Sequence, residues 1–211
     1  MHLLIVAATE FEIEPFIQDK KKSNILITGV GIPATIYHLT EKLINEKYDL
    51  AIQAGIAGSF SEKLNLGKVV VIKEDTFADI GIEEKGNFQT LFETGFIQKN
   101  ALPFTNGWLV NQDAILQKIS LPSIKAITIN RISDSKFQNK MMFDKYDADV
   151  ESMEGAAFHY VCLQQKIKFL QLRSISNRVG ERDKSKWKMK EAIENLNQEL
   201  LKIVDDLYKA L

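Results

Sequence analysis

Carboxylate and amide side chains interrupt the apolar pattern of this sequence at points where strands are expected to end. Glu10 and Glu12 follow the apolar run Leu3 to Ala8, Glu154 opens an expected helix, and Asn177 follows the run Phe169 to Ile175. In open α/β sheets, ligands bind at the carboxyl ends of strands. Carboxylates accept hydrogen bonds or protons, and an amide both donates and accepts. The spacing therefore indicates a polar ligand site.

Each of these side chains also has a structural interpretation. Glu10 and Glu12 are first-turn acids that favour a helix dipole, and Glu154 can cap a helix. Asn177 can end a strand in a turn. Glu154, however, is followed directly by Gly-Ala-Ala, a close-packed setting in which a solvated acid is unexpected. That setting favours a ligand-binding role for Glu154.

Small residues follow two of the expected strands. Gly29-Val30-Gly31 precedes Ile32-Pro33, and Gln53 to Ser59 contains Gly55, Ala57 and Gly58. Small residues let backbone N–H groups approach a ligand closely. The full G-x-G-x-x-G and G-x-x-x-x-G-K-[ST] patterns are absent, so dinucleotide and nucleoside triphosphate binding by those motifs are not supported.

Short apolar runs alternate with helical patterns along the chain. The expected strands are Leu3 to Ala8, Asn24 to Thr28, Leu50 to Ala54, Lys68 to Ile72, Ile124 to Ile129 and Phe169 to Ile175. Helical spacing separates several of them, and the tail after Lys184 has the spacing of one long amphipathic helix. This alternation predicts an α/β fold, with a three-layer α/β/α arrangement around a mixed central sheet, in one domain over residues 1–211.

Composition excludes several classes of protein. The chain has 211 residues and a net charge of -1, without the basic excess that nucleic-acid binding requires. No apolar stretch approaches the ~20 residues that span a bilayer. A single cysteine, Cys162, excludes an internal disulfide framework and favours a cytoplasmic location, and no Cys/His spacing predicts a metal site.

Four motifs resemble a known superfamily. They are V-E-S-M-E-G-A-A from Val150 to Ala157, L-R-S-I-S-N from Leu172 to Asn177, A-A-T-E-F-E near the start and A-G-I-A-G in the middle. Together they are similar to the purine nucleoside phosphorylase/hydrolase superfamily and, within it, to the futalosine hydrolases, nucleosidases of the futalosine route to menaquinone. The resemblance covers essentially the whole chain. M-E-G-A-A with R-x-I-S-N is the specific part, whereas A-G-x-A-G marks only the superfamily.

The resemblance implies roles for individual residues. Glu154 would accept hydrogen bonds from the ribose 2′- and 3′-hydroxyls, with Met153 beside the sugar. Glu12 would orient and deprotonate the attacking water, and Glu10 is the second choice for that role. Cleavage of an N-glycosidic bond passes through an oxocarbenium-like ribose, which requires these functions. No cofactor or metal is implied.

Asn177 discriminates between substrates within the superfamily. Nucleosidases that act on adenine nucleosides carry Asp at this position, and its carboxyl can donate a proton to N7 and accept from the 6-amino group. The Asn177 amide can instead donate to N7 and O6 of a 6-oxopurine. The resemblance therefore implies hypoxanthine as the leaving base, and a methylthioadenosine/S-adenosylhomocysteine nucleosidase is the alternative.

Water is expected to be the nucleophile. Phosphorylases of the superfamily surround phosphate with arginines near the N-terminus, whereas the first 60 residues here contain none. Arg178, or alternatively Arg182, is a candidate partner for the carboxylated tail of futalosine. A solvated helix start explains both arginines equally well.

Aromatic residues between positions 74 and 112 suggest a pocket or a subunit interface. Phe77, Phe104 and Trp108 are the candidates for stacking on the base, and the resemblance suggests a homodimer or higher homo-oligomer. A small nucleoside is the expected binding partner. A non-catalytic nucleoside-binding protein on the same fold is the rival of another class, but it would be expected to lose Glu12 or Glu154.

Overall fold

Strands and helices alternate along most of the chain and build a mixed sheet between two helical layers. The computed structural model describes residues 1–19 and 24–209. The strands are β1 (Leu3–Ala7), β2 (Asn24–Ile27), β3 (Leu50–Ser59), β4 (Val69–Asp75), β5 (Gly81–Glu84), β6 (Asn87–Thr90), β7 (Leu109–Val110), β8 (Ser123–Thr128), β9 (Val150–Ser152) and β10 (Lys168–Arg178). The helices are α1 (Glu10–Gln18), α2 (Ile32–Asn45), α3 (Lys136–Tyr146), α4 (Gly155–Gln165) and α5 (Met189–Lys209).

The central sheet confirms the predicted α/β class. Its strands follow the order β10-β4-β8-β9-β3-β1-β2, and β5 and β6 form a separate antiparallel hairpin. Each apolar run predicted to be a strand lies in a strand of this sheet. The predicted tail helix is α5, although Trp187 lies just before its first turn.

Helices cover both faces of the sheet. On one face, α2 and α4 bury Leu39 and Phe158 against Leu4 and Val6 of β1. On the opposite face, α1 and α5 pack apolar side chains against the alternate residues of β1 and β3. Because both faces are covered, the strands are apolar along nearly their whole length, which is why they appear as continuous apolar runs in the sequence.

Part of the sheet closes into a ring. Strand β10 pairs with β3 on one edge and β4 on the other, and β4, β8, β9 and β3 complete the circuit. Apolar side chains from every strand of the ring form one buried cluster, namely Ala57, Val70, Ile72, Ala126, Val150 and Ile175. The ring brings the ends of β3, β9 and β10 to one place, although they are far apart in sequence.

Candidate active site

A cavity of about 260 Å³ lies at the end of the ring where β3, β9 and β10 meet. Its wall includes Glu12, Glu154 and Asn177, the three side chains to which the sequence assigns chemistry. Met153, Ala57 and Gly58 also line it. The structure therefore brings most of the predicted site residues together around one space.

Glu12 is held by backbone groups from two segments. Its side chain is buried, at 7 % exposed. One carboxylate oxygen, Oε1, accepts from the N–H of Ile56 at 3.1 Å, and Oε2 accepts from the N–H of Thr9 at 3.1 Å. The bond to Thr9 is the reciprocal half of a helix N-terminal capping box. Glu12 thus caps the N-terminus of α1, and the same bonds fix its carboxylate at the cavity.

A buried asparagine from α5 supports the turn of α1 that carries Glu12. The backbone departs from helical angles at Ile13, and Pro15 lacks an N–H donor. The Asn197 amide donates to the C=O of Glu12 at 2.9 Å and accepts from the N–H of Phe16 at 3.1 Å. These two backbone groups would bond each other in a regular helix. Asn197 thereby ties the position of Glu12 to α5.

Glu154 occupies the N-cap position of α4 and is 5 % exposed. Its Oε1 accepts from the N–H of Gly31 at 3.0 Å. Gly31 has φ of 95°, a backbone conformation that favours glycine. Glycine at this position therefore lets the backbone N–H face Glu154. The Gly31 segment singled out in the sequence therefore positions a carboxylate.

A buried arginine that the sequence analysis left without a role lies between the two carboxylates. Arg173 is 1 % exposed, and its Nη1 lies 3.8 Å from Glu154 Oε2. Its Nη2 donates to Gln53 Oε1 at 3.0 Å. A Cβ at position 55 would overlap the guanidinium, so Gly55 provides the space for Arg173 and does not itself line the cavity. A lone cation inside an apolar strand was the available signal for this residue.

Burial and charge set the protonation of Glu12. Burial raises the pKa of its carboxyl above the usual value, and the Arg173 guanidinium opposes this shift by favouring the ionised form. A carboxylate whose pKa is raised is a stronger base than an exposed one while it remains ionised near neutral pH. The arrangement therefore suits proton abstraction from a bound water.

Asn177 lies at an irregularity in β10. The pairing register of β10 with β3 shifts between Ile175 and Asn177, which redirects the side chain that follows. The Asn177 Oδ1 accepts from Ser176 Oγ at 2.7 Å, and Nδ2 donates to the C=O of Arg178 at 2.9 Å. One hydrogen of the amide is therefore committed to the protein, and the other is available to a ligand.

Several predicted site residues lie elsewhere. Phe77 and Phe104 contact Tyr160, with ring centroids 6.1 and 6.2 Å apart, and neither lines the cavity. Arg178 donates to backbone carbonyl groups, including that of Leu64 at 2.8 Å, and also lies outside the cavity wall. Its guanidinium holds a loop, so the structure does not bring it to the ligand site.

The aromatic groups at the cavity are different from those expected. Phe11 and Trp187 line it, together with Ile132 from the segment between β8 and α3. Trp108, the third stacking candidate, packs against Tyr146 at 6.2 Å. Nothing in the local sequence around Phe11 or Trp187 distinguishes them from ordinary apolar residues, so only the fold reveals their position.

The described residues contain neither a cluster of metal-binding side chains nor a helix that could cross a membrane. Within residues 1–19 and 24–209, no group of three or more His, Cys, Asp or Glu side chains has the arrangement of a metal site. No helix in these ranges is sufficiently long and apolar to cross a membrane.

A known protein family matches most of the chain. The family model described as the phosphorylase superfamily matches residues 7–208. The chain belongs to the phosphorylase superfamily. This confirms the resemblance drawn from the M-E-G-A-A and R-x-I-S-N motifs.

Proteins with two different names are among those similar to this chain. A futalosine hydrolase from Thermus thermophilus is 28% identical over 174 residues, covering 81% of this chain and 76% of that protein. A 5′-methylthioadenosine/S-adenosylhomocysteine nucleosidase from Shewanella loihica is 27% identical over 162 residues, covering 73% and 68%.

A solved structure has the same fold. The 5′-methylthioadenosine/S-adenosylhomocysteine nucleosidase from Colwellia psychrerythraea, in complex with adenine, superposes with a TM-score of 0.81. It is 19% identical, and the alignment covers 97% of this chain and 95% of that chain. At this identity the likeness establishes the fold.

Proposed function

We propose that this member of the phosphorylase superfamily is a nucleosidase that hydrolyses futalosine to hypoxanthine and dehypoxanthine futalosine, a step of the futalosine route to menaquinone. The observation that carries this proposal is an asparagine, Asn177, on the wall of a cavity that also holds two buried carboxylates. Similar proteins named futalosine hydrolase add support.

The two carboxylates divide the work at the ribose. The Glu12 carboxylate deprotonates the attacking water, and the Glu154 carboxylate accepts hydrogen bonds from the ribose hydroxyls. Positive charge develops on the sugar in the transition state, so both carboxylates also stabilise it electrostatically. Arg173 holds the Glu154 carboxylate in place, since its Nη1 lies 3.8 Å from Oε2. Met153 forms part of the wall beside the sugar.

The Asn177 amide selects the base. Its free N–H donates to O6 of a 6-oxopurine, whereas the 6-amino group of adenine would present a donor to the same N–H. A buried donor facing another donor costs about 1 to 3 kcal/mol. Release of hypoxanthine is therefore favoured over release of adenine, which argues against a methylthioadenosine/S-adenosylhomocysteine nucleosidase.

Water is the nucleophile in this proposal. None of the described residues lining the cavity is Arg or Lys. The one buried guanidinium nearby, that of Arg173, already faces Glu154 and Gln53. A phosphate dianion would therefore meet carboxylates without a free cation, whereas a water molecule needs none.

The surface and the composition support a proposal on oligomeric state and location. Phe11 and Val30 line the cavity yet are 60% and 57% exposed. Large apolar side chains exposed beside a ligand site are typical of an interface. We therefore infer a homodimer or higher homo-oligomer whose second copy covers this side, and a cytoplasmic enzyme with a single buried cysteine, Cys162.

A substrate comparison tests the base assignment. The wild-type enzyme is expected to release hypoxanthine from futalosine faster than it releases adenine from methylthioadenosine or S-adenosylhomocysteine. The substitution Asn177→Asp places a carboxylate that repels O6 and accepts from a 6-amino group. We expect the ratio of kcat/KM for futalosine to that for methylthioadenosine to fall about a hundredfold or more. Chromatographic quantification of the released base measures both reactions.

The matched control is Asn65→Asp, because Asn65 is exposed and lies outside the cavity. This variant is expected to keep the wild-type ratio. Faster release of adenine by the wild-type enzyme, or an unchanged ratio in Asn177→Asp, would remove Asn177 from base selection.

A further inference from the structure

Glu151 is a buried carboxyl on the cavity wall that the proposed reaction has not used. It lies in β9, is 9 % exposed, and lines the candidate active-site cavity. It also borders a neighbouring cavity of about 300 Å³. Within the described residues, no side chain or backbone group forms a hydrogen bond or ion pair with its carboxyl, and burial alone shifts the pKa of that carboxyl. An unpartnered buried carboxyl lowers the stability of the fold, so its presence indicates a functional role for Glu151.

The side chains of Glu151 and Asn177 lie beside the same glycine, Gly58. Gly58 of β3 pairs with Glu151 on one side and with Asn177 on the other. A Cβ built on Gly58 would lie 3.5 Å from Glu151 Cγ and 3.4 Å from Asn177 Nδ2. Both side chains therefore project from the same face, next to the small residue between them. A base that meets the Asn177 amide lies within reach of the Glu151 carboxyl.

The chemistry of the leaving base requires a group of this kind. When the bond between C1′ and N9 breaks, its electron pair stays with the purine, and protonation of the purine lowers the barrier. Asn177 offers one free N–H and cannot transfer a proton. Glu12 takes a proton from water, and the Glu154 carboxylate faces Arg173 and accepts from the ribose hydroxyls. None of these groups supplies the proton that the base needs.

The surroundings of Glu151 keep its carboxyl protonated. Burial raises its pKa to about 7, so a large share of the carboxyl carries a proton at neutral pH. Charged and titratable side chains line the two cavities that it borders. They are Glu12 and Glu154 in the candidate active site, and Asp79, Glu83 and Arg131 in the neighbouring cavity. Most of these are acids, but burial alone shifts the pKa of Glu151.

We propose that Glu151 is the general acid that protonates the departing 6-oxopurine at N7. This inference rests on the proposed nucleosidase function. As the C1′–N9 bond breaks, the Glu151 carboxyl gives its proton to N7 and becomes a carboxylate. Water forms the new C1′–O bond and gives one proton to Glu12. The products are the protonated base and the free sugar, and proton exchange with solvent restores both carboxyl groups.

The pH dependence of the wild-type enzyme is the first test. Glu151 must be protonated to act, and its raised pKa means that the active form is present below about pH 7 and lost above it. We expect kcat/KM for futalosine to fall about tenfold per pH unit above that point. Glu151→Gln is expected to lower kcat/KM at least about a hundredfold and to abolish this fall. Glu83→Gln, at an exposed acid of the neighbouring cavity, is the matched control and is expected to keep the wild-type profile.

A substrate that needs no proton separates acid catalysis from a structural role. In 7-methylinosine the methylated purine already carries a positive charge and needs no proton at N7. The loss of kcat/KM caused by Glu151→Gln is therefore expected to shrink to less than about fivefold. Gln has nearly the same size as Glu, so the methyl group meets the same space in both enzymes. The role of Glu151 would be overturned if Glu151→Gln lost the same factor of kcat/KM on futalosine and on 7-methylinosine. It would also be overturned if kcat/KM of this variant still fell above about pH 7. Failure of the wild-type enzyme to cleave futalosine would instead contradict the proposed function.

Discussion

Replacing Glu12 by Gln is expected to lower kcat/KM for futalosine by a factor of about 10² to 10⁴. Gln keeps the shape of the side chain and can still accept from the N–H of Ile56, so the cavity should persist. It cannot accept a proton from water. The loss should therefore lie mainly in kcat, with KM changed little, and steady-state kinetics measure the two separately.

The pH profile identifies how Glu12 acts. Its pKa is raised by burial, so the ionised form needed for a base is lost as the pH falls, beginning above the usual carboxyl range. The wild-type enzyme should lose activity on the acid side, and Glu12→Gln should lack that limb. Glu10→Gln is the matched control, because Glu10 lies on the same helix turn but is exposed and outside the cavity wall. If Glu12→Gln and Glu10→Gln lowered kcat/KM equally, Glu12 would not be the general base.

The second large effect is expected for Glu154→Gln, which should also lower kcat/KM by about 10² or more. The carboxylate accepts from the ribose hydroxyls more strongly than an amide does, and it balances charge that develops on the sugar. The change also leaves the buried Arg173 with a weaker partner. Removing one member of a buried ion pair costs about 3 to 5 kcal/mol of stability, so thermal unfolding must show that the variant is folded at the assay temperature.

A deoxy substrate separates the contact with the sugar from the effect on the fold. Wild-type enzyme should lose activity when the ribose 2′-hydroxyl of futalosine is removed. In Glu154→Gln, removal of the 2′-hydroxyl should lower kcat/KM much less than in the wild-type enzyme. The substitution already removes the interaction that this hydroxyl makes. Independent, multiplicative losses would show that Glu154 does not act through that hydroxyl. Glu14→Gln, an exposed acid outside the cavity, serves as the control.

Much of the fold could be predicted because the strands are covered on both faces. Runs such as Leu3 to Ala8 are apolar throughout and therefore visible without knowledge of their partners. The short strand β9 and helix α3 were not predicted. The former has only three residues, and the latter buries no side chain fully, so neither has a periodic apolar pattern. Closure of the ring depends on pairing between β9 and β3, which no local signal specifies.

The site could be predicted where a side chain has an unusual local setting. Glu12 and Glu154 stand at helix starts, and Asn177 follows a strand, so their types and positions indicated a site. Phe77 and Phe104 could not be placed, because any aromatic residue in an irregular segment is a candidate for stacking. Arg173 and Glu151 lie inside strands, and their importance arises from Gly55 and Gly58 on the neighbouring strand.

Hydrolysis in water labelled with ¹⁸O tests the central proposal most directly. The purified enzyme is incubated with futalosine in H₂¹⁸O, with and without inorganic phosphate, and the products are analysed by mass spectrometry. We predict hypoxanthine without label and dehypoxanthine futalosine with one ¹⁸O at C1′, at a rate that phosphate does not change. A phosphorylated sugar product, a requirement for phosphate, or unchanged futalosine would contradict the proposal.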